Sequence, residues 1–346
     1  MSPHSVPIIE AEHLLACQNT LGEGAVWDSK TQLLHWVDIQ TSEVHSYDPE
    51  TSNHSVDKYP EATSVSYITP IDGSDKFLAT FEGSLVVLPK PTTPTASTST
   101  TDAHQKTALK VLSEPLDKKQ VQDQVIRFND GGVDPAGRVF YGSMGNDEDA
   151  PEYPGELWRY DLDGTQTKIF DKIGVSNGLG FTGDGKLMYY IDSRKDEISV
   201  FDYDLQSGVP FNKRTFAATP PPLDNSGPPE GVFDGLCLDG VGNVWAARWR
   251  DERVIGFSPE GKILAMISVK GAKSPTIPCF GGKDLTKMYI TTASSHLGGK
   301  GDSAQFPKSG DLYTVDFGEG SSIRKVLGEG WKGAERFRAK VKIDDI

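Results

Sequence analysis

Cysteine, surplus basic charge and long apolar runs are all scarce in this chain, and each scarcity excludes something. The three cysteines, Cys17, Cys237 and Cys279, are odd in number and far apart, with no C-x-x-C pair. They signal neither a disulfide framework nor a zinc site, and free thiols in a reducing compartment are expected. Lys and Arg number 35 against 49 Asp and Glu, a formal net charge of −14. No basic excess exists to pair with phosphates, so a general nucleic-acid partner is excluded. No apolar stretch approaches the length of about 18 residues that would span a membrane. Residues 1–10 lack the basic start and apolar run of a signal peptide, which makes the cytoplasm the expected location. Catalytic signatures are missing too. There is no G-x-S-x-G elbow for a serine hydrolase. No Walker or dinucleotide glycine motif leads a helix, and Gly298-Gly299-Lys300-Gly301 reads as a turn. His296 is a lone histidine in a loop, where surface exposure is the expectation. Nothing in the sequence specifies an oligomer.

Helical periodicity is absent as well, and what replaces it is a repeat. Glycine (36) and proline (22) are plentiful, which points to many turns. Six short apolar runs recur at intervals of roughly 45 residues or more. They begin at Leu33, Lys76, Arg138, Lys186, Asn243 and Lys287, most of them led by clusters such as Asp134-Pro135-Ala136-Gly137 or Gly183-Asp184-Gly185. Asp-Gly pairs favour hairpins, and β-branched and aromatic residues fill the runs, so each reads as a strand. A second strand follows each, starting near Glu43, Gly83, Glu156, Ile198, Arg253 and Asp311. Trp27, Trp36, Trp158 and Trp245 fall in strand-like runs and read as packing residues. Six small antiparallel sheets in series predict an all-β, six-bladed β-propeller occupying 1–346 as a single domain. The widest interval contains 89–107, PKPTTPTASTSTTDAHQKT, whose composition predicts a disordered loop inserted on the rim. A second expanded loop, 219–230, is placed to wall the channel mouth.

The innermost strand of each blade should lie just upstream of each turn. Counting back nine or ten residues from the start of each apolar run brings Glu23, Asn129, Asn177 and Asp234 to matched positions, with Pro278 nine before in the sixth unit and Ser64 twelve before in the second, where the turn is longer. Polar residues thus stand where apolar ones were due. Any one of them also reads as a turn residue bonding its own backbone, as Asn-Gly and Asp-Gly often do. As a set on one axis they form an all-oxygen group. Two carboxylates brought that close repel unless a proton or a cation lies between them. Such a set suits a hard divalent cation such as calcium, magnesium or manganese.

Several motifs in order along the chain resemble those of the regucalcin/gluconolactonase family. They include Gly22-Glu23-Gly24-Ala25-Val26-Trp27, Arg127-Phe128-Asn129-Asp130-Gly131, Val133-Asp134-Pro135-Ala136-Gly137-Arg138, Ser176-Asn177-Gly178-Leu179, Phe201-Asp202-Tyr203-Asp204 and Cys279-Phe280-Gly281-Gly282. The resemblance implies a metal-dependent lactonase that opens a sugar lactone to its sugar acid. It also implies that Glu23, Asn177 and Asp234 hold one divalent ion, calcium first, with magnesium, manganese or zinc as alternatives. Arg127 and Asn129 match the family's substrate-contacting pair. Glu152, in Pro151-Glu152-Tyr153-Pro154-Gly155-Glu156, is a counterpart of a further sugar-contacting glutamate, although the stretch differs in length. Asp234 would serve as general base toward water. Two other readings stay open: a non-catalytic calcium-binding or interaction propeller, and a phosphotriesterase-like hydrolase.

Overall fold

The computed structural model describes residues 6–60, 62–96, 109–146, 154–195, 197–221, 231–297 and 303–341. Two short strands come first, β1 (Ile8–Glu10) and β2 (Glu12–Leu15). Blade 1 is β3 (Gly22–Asp28), β4 (Leu33–Asp38), β5 (Glu43–Asp48) and β6 (Asn53–Lys58). Blade 2 is β7 (Val65–Pro70), β8 (Phe77–Phe81), β9 (Ser84–Leu88) and β10 (Lys110–Ser113). Blade 3 is β11 (Ile126–Val133), β12 (Val139–Gly145), β13 (Gly155–Tyr160) and β14 (Gln166–Ile173). Blade 4 is β15 (Ser176–Phe181), β16 (Leu187–Asp192), β17 (Glu197–Asp204) and β18 (Val209–Ala218). Blade 5 is β19 (Val232–Leu238), β20 (Val244–Trp249), β21 (Arg253–Phe257) and β22 (Ile263–Ser268). Blade 6 holds β23 (Ser274–Gly281), β24 (Lys287–Ala293) and β25 (Leu312–Asp316).

These sheets form the expected six-bladed propeller, and all twelve strands expected from the apolar runs are present. The chain's start closes the ring. β2 pairs antiparallel with β25 and supplies the fourth strand of blade 6. β1 adds parallel to β22 as a fifth strand of blade 5. The segment 89–107 joins β9 to β10 within one blade, so the repeat continues across it. Most of that segment, and most of the 219–230 loop, lie outside the described residues. Among the described residues no helix is long and apolar enough to cross a membrane.

Aromatic residues fill the seams between blades. Trp27, Trp36 and Trp245 are buried, as expected of packing residues. Trp158 is only half-buried and carries the Lys168 ammonium over its ring. Polar motifs tie neighbouring blades. Asp134, which opens the turn after β11, accepts hydrogen bonds from the Arg138 backbone N–H (2.8 Å), from Arg138 Nη1 (2.8 Å) and from the Tyr203 hydroxyl (2.6 Å) of blade 4. Arg138 Nη2 in turn donates to the carbonyl of Leu205. Two sequence motifs far apart along the chain are therefore halves of one joint.

The C-terminal segment 331–341 is a strap across the ends of the inner strands. Trp331 Nε1 donates to Asp239, Gly240 N to the Lys332 carbonyl, and Arg338 Nη1 to Asp28. Ala339 bonds Pro70 and Asp72 through its backbone, and Lys340 N reaches the Gly137 carbonyl. Every one of these partners lies at the C-terminal end of an inner strand or in the turn after it.

Candidate functional site

All six inner strands share one irregularity. Pairing with the second strand slips between Glu23 and Val26, Val65 and Tyr67, Phe128 and Gly131, Ser176 and Leu179, Phe233 and Leu236, and Pro275 and Pro278. Each slip inserts one extra residue, which bends the strand and re-aims its side chains. The slips hold Asn129-Asp130, Asn177-Gly178 and Asp234-Gly235, and Glu23 flanks its own. In blades 2 and 6 the slips fall at Ser66 and Thr276-Ile277. Of the two residues matched from sequence, Ser64 lies two residues before Ser66, and Pro278 adjoins Ile277 at the end of its slip.

The glycines after Asn177 and Asp234 are not turn residues. Both sit inside strands without positive φ. A Cβ on Gly178 would come within 2.8 Å of the Asp234 carbonyl oxygen, and one on Gly235 within 2.8 Å of the Thr276 carbonyl oxygen. They let adjacent inner strands approach closely near the axis.

Glu23, Arg127, Asn129, Asn177 and Asp234 line one cavity of about 520 Å³. It opens at the N-terminal ends of the inner strands, opposite the strap. Glu23, Asn129, Asn177 and Asp234 are each exposed by 6% or less, so their polar atoms need partners. Asn129 Nδ2 donates to the Ser176 carbonyl (2.9 Å), and its Oδ1 accepts from Arg127 Nη1 (2.7 Å). Arg127 Nη1 also donates to the Phe128 carbonyl (2.8 Å). Asn129 thus aims Arg127. Asn177 Nδ2 donates to Ser193 Oγ (3.0 Å), which donates to the Phe233 carbonyl (2.7 Å) of blade 5. Asn177 Oδ1, however, is buried with no hydrogen-bond partner.

Charge is concentrated here. Burial pushes the Glu23 carboxyl well above its ordinary range, and Asp234 and Asp130 push it further, while the Gly24 N–H and Arg127 oppose. Asp234 is likewise raised, by burial and then Asp130, against a hydrogen bond from Asn177 and the Arg127 charge. Asp130 lies deeper. Burial raises it to about 6, with Arg336 and the Gly131 N–H pulling the other way. Arg336 reaches up from the strap and donates to the Leu236 carbonyl (2.7 Å). Asp130 and Arg336 escaped sequence reasoning. Asp130 hides beside Asn129 in the same motif, and Arg336 belongs to no repeat. Glu152 lies outside the described residues.

The sequence and the overall fold have counterparts among known proteins. Residues 21–294 match the family described as the SMP-30/gluconolactonase/LRE-like region. The chain belongs to that family. Within it, pentonolactonase XacC of Haloferax volcanii is 31% identical over 299 residues, covering 86% of this chain and 90% of its own. Regucalcin of Bos taurus is 33% identical over 299 residues, covering 85% and 90%. Among solved structures, a luciferin-regenerating enzyme superposes with TM-score 0.77 at 26% identity, covering 95% of this chain and 99% of its own. A calcium-binding protein, regucalcin, from Agrobacterium tumefaciens shares the fold with TM-score 0.75 at 22% identity, covering 99% and 100%.

Proposed function

We propose that this SMP-30/gluconolactonase-family chain hydrolyses a sugar lactone to its sugar acid, with Glu23, Asn177 and Asp234 holding one divalent cation. The observation that carries the reading is the Asn177 Oδ1 atom. It is a buried oxygen without a partner, in one cavity with two buried, mutually repelling carboxylates. An orphaned oxygen beside two anions fits a hard cation. Among the described residues no three His, Cys, Asp or Glu side chains cluster into a metal site, so the set depends on the Asn177 amide. An all-oxygen set favours calcium, magnesium or manganese over zinc.

When bound, such a cation polarises a carbonyl oxygen and lowers the pKa of water. Asp234 does the proton work. Its carboxylate takes a proton as the water oxygen bonds to the lactone carbonyl carbon, and it returns a proton to the ring oxygen as the C–O bond breaks. Arg127, aimed by Asn129 and the Phe128 carbonyl, orients the substrate's oxygens. Glu152 is carried as a third substrate contact on sequence alone. The free thiols of Cys17, Cys237 and Cys279 support a reducing location, the cytoplasm. One folding unit over 1–346 is supported by β2 closing the ring and by the strap bridging the blades.

The test is hydrolysis of five- and six-membered aldonolactones, followed by proton release. The chelated protein would be compared with protein reloaded with calcium, magnesium, manganese or zinc. Turnover abolished by chelator and restored by one ion supports the reading. Ion binding without turnover would leave a calcium-binding propeller, and faster cleavage of a phosphotriester would make it a phosphotriesterase.

A further inference from the structure

The cavity mouth is apolar directly above the three proposed ligands. Leu21, Val175 and Val232 each stand two residues before one of them, Glu23, Asn177 or Asp234, and line the same cavity. Residues two apart on an extended chain share a face, so these side chains lie over the ligands, toward the opening. The corresponding residue before Asn129 is Arg127. The mouth therefore has a polar side at Arg127 and an apolar side across blades 4, 5 and 1. We propose that the cavity takes, beyond plain sugar lactones, lactones that carry an apolar substituent, aliphatic or aromatic, and that Trp249 and these neighbours receive it. This rests on the lactonase reading above.

Each of the three is backed by a second apolar residue of the lining. Val232 pairs with Trp249 across β19 and β20, and Val175 with Met144 in an isolated antiparallel bridge. Ile39 N donates to the Leu21 carbonyl. Trp249 also joins the patches. It is half-buried, and it packs against the cluster that runs from Ala293 in blade 6 through Leu21 to Ile39 in blade 1. Apolar surface is therefore continuous from blade 5 to blade 1.

A wall of this kind is a poor match for a sugar alone. A sugar lactone carries hydroxyls around its ring, and a hydroxyl pressed against aliphatic side chains without a partner loses more than it gains. Polar groups on this side are already in use. Ser193 Oγ accepts from Asn177 and donates to the Phe233 carbonyl, and Arg194 and Arg250 are engaged elsewhere in the chain. An alkyl or aryl group laid on the wall removes apolar surface from water on both partners. A cavity of about 520 Å³ falls in the range that encloses a drug-sized ligand, so a single sugar ring leaves room to spare. With the ring's oxygens turned to Arg127, its opposite side meets the Trp249 wall.

The experiment compares δ-valerolactone, δ-decalactone and glucono-1,5-lactone on the calcium-loaded protein. The first two share one ring and differ by a pentyl group on the carbon bearing the ring oxygen, where it does not activate the carbonyl. A buried methylene is worth about fourfold in affinity, so the pentyl group, even half-covered, should raise kcat/KM at least about tenfold. Trp249→Ala should cut kcat/KM for δ-decalactone at least about fivefold more than for the other two, mainly through KM, and Trp249→Phe should keep part of the preference. These ratios are insensitive to the fraction folded. If the alkyl lactones are not opened while glucono-1,5-lactone is, the ratio of their Ki values against it decides in the same way. No gain from the pentyl group, or equal losses on all three lactones in Trp249→Ala, overturns the proposal. If no lactone is hydrolysed, the lactonase reading fails. Calorimetric binding of δ-decalactone against δ-valerolactone then decides the apolar subsite alone, and equal affinities overturn it.

Discussion

Replacing Gly178 with alanine should open the seam on which the site is built. A Cβ there would lie 2.7 Å from Leu236 N and 2.8 Å from the Asp234 carbonyl oxygen, both backbone atoms of β19 that cannot rotate away. Ordinary contact begins at 3.4 Å, so the inner strands of blades 4 and 5 must part by about 0.7 Å. That seam separates Asn177 from Asp234. Overpacking of this kind costs about 1–3 kcal/mol. Ligand distances in a metal site tolerate only about 0.2 Å, so calcium affinity should fall at least about tenfold. Urea denaturation of chelated protein reads the first effect, and calorimetric calcium titration reads the second. Gly183→Ala, in the turn of the same blade with nothing within 4 Å of its Cβ, is the control and should stay within about 0.5 kcal/mol of the parent. A Gly178→Ala protein as stable as the parent and binding calcium as tightly would refute the reasoning, since the seam would then be soft.

Asp234→Asn, assayed with the cation shown to be loaded, should lose about 10²–10⁴-fold in turnover; parental turnover would reduce Asp234 to a ligand. Burial depresses the His35 imidazole from 6.5 to about 4, against the raising effect of Asp28 and Asp57. The fold therefore favours the neutral ring, and its stability contribution holds above pH 6.5 and is lost as pH falls toward 4, by about 3 kcal/mol in full. Parent and His35→Gln should diverge in urea midpoint shift between pH 7.5 and 4.5, and parallel shifts would contradict this. Arg336→Met should cost about 1–3 kcal/mol by removing the charge that opposes the burial of Asp130 and the hydrogen bond to the Leu236 carbonyl, and adding Asp130→Asn should recover part of the loss. A double mutant no more stable than Arg336→Met alone would show that the two groups do not interact.

The strands that face two neighbours were readable, because burial on both sides gives continuous apolar runs such as Phe140-Tyr141 or Trp245-Ala246-Ala247. Outer strands were not. β18 is largely exposed, and nothing in VPFNKRTFAA marks it except its place after β17. Glu23, Asn177 and Asp234 were legible because a polar residue on a core strand violates the pattern around it. Their glycines were legible too but open to a second meaning, since Asn-Gly signals a turn as readily as a close approach, and only the neighbouring blade decides. Arg336 had no such signal, because the strap repeats nothing.

The ring is sealed by pairing its two ends, and this sets an order in time. His13 on β2 bonds Asp311 at a separation of 298 residues. Closing a loop of that length costs about 3 kcal/mol more entropy than closing a ten-residue hairpin, and no other contact returns it early. Blades 1 to 4 can form from local hairpins as the chain emerges from the ribosome, but β25 is among the last strands to be made. Until it emerges, β2 has no partner and the outer edge of β22 depends on three residues of β1. A nascent or refolding chain therefore carries open strand edges during its slowest step, and that interval, more than the finished ring, is when it is exposed to pairing with another copy.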